Sequence, residues 1–244
     1  HREDLDELAE AYDGYLGSLK IQVAGPWTLC ASLQLNRGER SVTDPGAVAD
    51  ITASLADGIA ARVADVTRLV PGAEVVLQVD EPSLPAVLDG SLPTASGYGR
   101  VRAVDPLVVM RGVEQVLAAH GGPTVLHCCH PAAPLPLLRA TGAGALAVDV
   151  TERTPAGWES LAVALEAGTG LYAGCLPTDG SGTDVTARNL VVDGFDRAGL
   201  SQEHLRGLVV TPACGLSGLT PRGARDVLRS ASDAARRLSE EVPG

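Results

Sequence analysis

The chain has 244 residues, 45% hydrophobic but only 3% aromatic, so Ala, Val and Leu must build its core. No apolar run approaches the roughly 20 residues of a membrane span, apolar content is too high for disorder, and a net charge of −11 opposes a nucleic-acid phosphate surface. Five cysteines, two of them adjacent, are an odd count for a secreted disulfide framework and read as reduced thiols, so the expected location is the cytoplasm, with no nucleic-acid or membrane partner.

A helix is expected over Arg2–Leu16, and no signal or transit segment is visible within the sequence, which starts at His1 rather than Met. Six mostly continuous apolar runs follow: Leu19–Gly25, Glu74–Glu81, Thr124–Cys129, Ala145–Thr151, Gly170–Leu176 and Leu208–Cys214. Such runs mark strands buried on both faces of a parallel sheet. Helical periodicity fills the gaps. Asp44–Leu69 and Asp105–His120 open on Asp-Pro, Ala133–Ala140, Pro155–Ala167 and Asp184–Ala198 follow, and Thr220–Val242 opens on Thr-Pro. No strand-to-helix turn carries the spacing of a dinucleotide fingerprint. The expected fold is therefore α/β, a (βα)8 TIM barrel forming one domain over 1–244. Six strands rather than eight imply that the first two strands and a helix lie upstream of His1, roughly 60–90 residues at about 30 per βα unit.

The polar residues of these strands gather at their C-terminal ends: Asp80 and Glu81, His127 with Cys128 and Cys129, Asp149, Cys175, and Cys214. In a barrel those ends form the face on which active sites are built. Side chains alternate along a strand, so His127 and Cys129 share one face while Cys128 and His130 share the other. With Cys214 and Asp149 they supply an imidazole, two thiolates and a carboxylate, the ligand types of zinc. Asp80 and Glu81 follow an apolar strand and suit a substrate amine. Cys30, His120 and His204 read as structural or surface residues, Trp158 and Phe195 as helix packing, and Pro177–Thr183 as a loop near the site or a plain linker.

Four motifs resemble, in order, those of the cobalamin-independent methionine synthases, in the superfamily shared with uroporphyrinogen decarboxylase. Gln22-Val23-Ala24-Gly25-Pro26-Trp27-Thr28-Leu29 resembles their Gly-Pro-x-Thr turn, and Leu77-Gln78-Val79-Asp80-Glu81-Pro82-Ser83-Leu84 their Gln-x-Asp-Glu-Pro-Ala-Leu segment. His127-Cys128-Cys129 resembles their His-x-Cys, and Thr211-Pro212-Ala213-Cys214-Gly215-Leu216 their Asn-Pro-Asp-Cys-Gly-Leu. The resemblance implies a zinc barrel that activates homocysteine sulfur. His127, Cys129, Asp149 and Cys214 would be the zinc ligands, with Asp149 standing where the family has Glu and Glu152 as the alternative. Asp80 would bind the homocysteine amine, beside Glu81. Three positions depart from the pattern. Ala86 stands for a folate-binding Glu, Ser32 for a folate-site Trp, and Cys175 for a proton-donating His, which makes Cys175 the catalytic candidate. The implied activity is methyl transfer from a folate or corrinoid donor to homocysteine, giving methionine. The alternatives are a related zinc-barrel alkyltransferase acting on another thiol and a degenerate, non-catalytic zinc domain. Partners would be these small molecules, with homo-oligomerisation left open.

Overall fold

The computed structural model describes residues 2–36 and 38–242. The chain divides into two compact units, one of His1–Leu126 with Ala140–Ala143 and one of His127–Arg139 with Gly144–Gly244.

The first unit holds α1 (Arg2–Ala11), β1 (Ser18–Ala24), α2 (Pro26–Ser32), α3 (Pro45–Leu69), β2 (Glu74–Asp80), α4 (Leu84–Asp89), α5 (Pro106–Leu117) and the start of β3 (Thr124–Cys128). β1 and β2 pair in parallel, with Gln22 opposite Gln78 and Ala24 opposite Asp80. This register puts Lys20, Gln22, Gln78 and Asp80 on one face and turns Leu19 and Ile21 to the other. There Leu19, Val66, Val70 and Val75 form a core, closed by Leu5 and Leu8 of α1, Tyr12 just beyond it and Val63 of α3.

The second unit holds the end of β3, α6 (Leu135–Ala140), β4 (Ala145–Asp149), α7 (Pro155–Glu166), β5 (Gly170–Leu176), α8 (Asp184–Ala198), β6 (Val209–Pro212) and α9 (Pro221–Glu240). β4 pairs with β5 and β5 with β6, all parallel. Trp158 and Phe195 lock α7 onto α8 in an edge-to-face pair, centroids 6.2 Å apart, as their helix-packing reading requires. Gly194 makes that contact possible, because a Cβ there would lie 2.3 Å from the Trp158 ring.

The helix starts follow the local grammar of the sequence. Asp44 Oδ1 accepts from the amides of Gly46 and Ala47, 2.8 and 3.0 Å away, with Pro45 in the first turn. Asp105, Thr154 and Thr220 cap α5, α7 and α9 in the same way, and Thr183 closes a capping box with Thr186 at α8. The expected βα alternation is present, with strands ordered as in the chain; among the described residues there are six strands, not eight. All the described strands except β5 stop slightly short of their expected ends. Gly25, Glu81, Cys129 and Cys214 all lie just beyond the last ladder residue, in the connections where side chains are free to converge. No helix among the described residues is long and apolar enough to cross a membrane.

Candidate functional site

His127, Cys129 and Cys214 converge in the second unit. One donor atom from each lies within 4.8 Å of the others, and the two sulfurs are 3.4 Å apart. Strand alternation accounts for the choice of cysteine: Cys128 is buried on the opposite face, whereas Cys129 is half-buried and Cys214 exposed. The sulfur spacing is far beyond a disulfide bond. It approaches the separation of about 3.8 Å for two thiolates bound tetrahedrally at about 2.3 Å to one zinc ion. Without a cation the pair resists ionisation: burial, then the neighbouring Cys214 thiol, pushes Cys129 up to about 12. A divalent ion reverses that balance, because it neutralises adjacent thiolates and deprotonates them outright. One imidazole and two thiolates fit a soft or borderline metal, and three protein ligands are the number that leaves a position open for a substrate.

Asp149, the expected fourth ligand, is not in this group. Its Oδ1 accepts from the Thr151 amide at 2.8 Å and the Thr151 hydroxyl at 2.6 Å, an Asx turn that holds the carboxylate at the end of β4. Glu152, the alternative, is also outside the group and lines a cavity of about 400 Å³ with Asp149, Arg153, Pro131 and Pro134. Cys175 sits at the irregularity between β5 and β6, where Gly174 pairs with Thr211 and Leu176 with Pro212. It is 2% exposed, and burial pushes its thiol up to about 12.

The first unit gives Asp80 and Glu81 different surroundings. Asp80 Oδ1 accepts from Gln78 Nε2 at 2.7 Å, and Gln78 Oε1 accepts from Lys20 Nζ at 2.7 Å. This relay fixes which way the Gln78 amide faces. Burial lowers Lys20 from its ordinary value, and the charge of Asp80 opposes that fall. Glu81 is fully buried. Its Oε1 accepts from the Trp27 amide at 2.9 Å, and its Oε2 from the Thr28 amide at 2.8 Å and the Thr28 hydroxyl at 2.7 Å. It therefore caps the N-terminus of α2 from a residue 53 positions away in the chain from Thr28, and both oxygens are occupied by that task. Gly25 is part of the device, since a Cβ there would lie 2.4 Å from the Glu81 carboxyl carbon. The Gly-Pro-x-Thr and Asp-Glu-Pro segments, read separately in the sequence, are two halves of one joint. Thr28 and Gly25 carried a signal as motif residues; their pairing with Glu81 did not.

The chain matches the family model for the catalytic domain of cobalamin-independent synthases over residues 17–237. It belongs to that family. No curated protein matches the chain. Among solved structures it is similar to dihydropteroate synthase from Xanthomonas albilineans in complex with 7,8-dihydropteroate, at 17% identity and a TM-score of 0.51 over 94% of this chain and 71% of that one. That likeness is one of fold alone. A candidate dihydrodipicolinate synthetase from Pseudomonas aeruginosa also aligns, at 16% identity and a TM-score of 0.34 over 73% of this chain and 61% of that one.

Proposed function

We propose that this family member is a zinc-dependent methyltransferase that alkylates the thiol of homocysteine. The observation that carries the reading is the convergence of His127, within the last two residues of β3, with Cys129 and Cys214, just past the ends of β3 and β6. These residues would hold the metal, which when bound supplies the Lewis acidity that keeps a coordinating thiol ionised at neutral pH. The overall reaction forms a sulfur–methyl bond and breaks the donor–methyl bond, whose electron pair leaves with the donor. Within the first unit, Asp80, its carboxylate oriented by the Lys20–Gln78 relay, has the charge to accept an ammonium group. Glu81 supports α2 and is assigned a positioning role.

Cys175 bears on the methyl donor. A folate amine leaves as a base and needs a proton, whereas a corrinoid leaves without one. A buried thiol held near 12 is a weak proton donor at neutral pH. This favours a corrinoid donor over a folate. The test has two arms. Elemental analysis of the purified chain should give one zinc per molecule, and methionine should form from homocysteine with a methylcorrinoid donor faster than with methyltetrahydrofolate. Stoichiometric zinc with no methyl transfer from either donor, to homocysteine or another thiol, would leave a non-catalytic zinc domain.

A further inference from the structure

We propose that Arg153 is a positioning residue for the metal centre, bridging the loop that carries Cys129 to the end of β4. The inference rests on the metal reading above and concerns residues of the second unit only. Cys129 lies one residue beyond the last residue of β3, so the strand ladder that fixes His127 does not extend to it. The loop that follows turns back on itself through the Ala132 amide, which donates to His130 Nδ1 at 3.0 Å, and the Ala133 amide, which donates to the His130 carbonyl at 2.9 Å. Arg153 takes hold of this turn at Pro131. One terminal nitrogen donates to the Pro131 carbonyl at 3.1 Å, and the other donates to the carbonyl of Asp149. Two backbone segments, one carrying a metal ligand and one ending a core strand, are thereby joined through a rigid planar fork, a geometry that lysine does not reproduce.

The surroundings of Arg153 are built for this task. Its stem lies against the first turn of α7, where Gly157 leaves the space. A Cβ on Gly157 would fall 2.4 Å from Arg153 Cδ and 2.8 Å from Cγ. The arrangement is costly. Burial disfavours the charged guanidinium, opposed by Asp149 and Cys128, and its buried Nε has no hydrogen-bond partner among the described residues. Local stability is a poor explanation for a buried arginine held at such a cost, and the bridge to the loop of Cys129 is a better one. Residues that orient metal ligands from outside the coordination sphere typically change metal affinity by about 10–100-fold when altered.

The test is zinc affinity by chelator competition, together with the visible spectrum of the cobalt-substituted protein, which reports ligand geometry independently of activity. Arg153→Met should weaken zinc binding by about tenfold or more and alter the cobalt spectrum. Millimolar methylguanidinium, entering through the adjoining cavity, should restore part of both. Gly157→Ala perturbs the same bridge from the other side while favouring the helix, and should move both readouts in the same direction even if Arg153→Met folds poorly. Wild-type affinity and spectrum in both variants would overturn the bridge and leave the metal site intact. Failure of the wild-type chain to bind zinc or cobalt at all would overturn the metal reading itself, and the bridge with it.

Discussion

Glu81→Gln isolates the energetics of the buried joint between β2 and α2. Wild-type Glu81 is wholly buried, and burial, the largest influence, pushes its carboxyl from 4.5 up to about 7; the donors Thr28 and Trp27 pull the other way and Asp80 adds to the rise. A carboxyl raised in the folded state keeps its proton after the unfolded chain has lost one. Between pH 4.5 and 7 the unfolded state therefore binds fewer protons, and stability falls as pH rises. At about 1.4 kcal/mol for each tenfold change, the move from 4.5 to about 7 corresponds to on the order of 3 kcal/mol lost across that window. Glutamine has nearly the same shape as the neutral acid and does not titrate. Its amide nitrogen is a donor set against the Trp27 or the Thr28 amide, so the variant should start about 1–3 kcal/mol below wild type at low pH, and the gap should narrow by on the order of 3 kcal/mol as pH rises to 7. Urea unfolding followed by the fluorescence of buried Trp27, in a Trp158→Phe background, reads this in the first unit. Parallel pH profiles would refute the reasoning. They would mean that the three donors aimed at Glu81 keep it ionised throughout and outweigh the cost of burial.

Three further outcomes follow from the same geometry. Gly25→Ala forces a methyl group into the Glu81 carboxylate at 2.4 Å and should destabilise by at least the 1–3 kcal/mol typical of overpacking, measured by denaturant midpoint. Gly194→Ala should lower the stability of the second unit by a similar amount despite alanine's better helix propensity, because the new Cβ meets the Trp158 ring at 2.3 Å; thermal unfolding checks it. Cys129→Ser and Cys214→Ser should lose the tightly bound metal and Cys128→Ser should keep it, since Cys128 is buried on the other face; elemental analysis of the purified variants distinguishes them.

What the sequence determined by itself is the part set by short-range forces. Continuous apolar runs of strand length, helical periodicity between them, and Asp-Pro or Thr-Pro starts predict elements that the structure reproduces at Glu74–Asp80, Gly170–Leu176 and Asp184–Ala198. Alternation along β3 singles out Cys129 over Cys128 from sequence alone, because a period of two is a property of the extended chain. The short helices α2 and α4, seven and six residues long, escaped it. Tertiary structure alone decided which polar groups meet. Cys129 and Cys214, 85 residues apart, come to 3.4 Å because their strands end on the same side of the unit. The neighbouring carboxylates Asp80 and Glu81 look alike in sequence, yet only Glu81 meets the amides of α2, while Asp80 joins the Lys20–Gln78 relay. Asp149, grouped with the zinc-type residues by its place at a strand end, is turned to Thr151 instead. Strand-end position narrows the choice of site residues; the side-chain direction and the hydrogen bonds competing for each carboxylate are set by backbone geometry that no local pattern encodes.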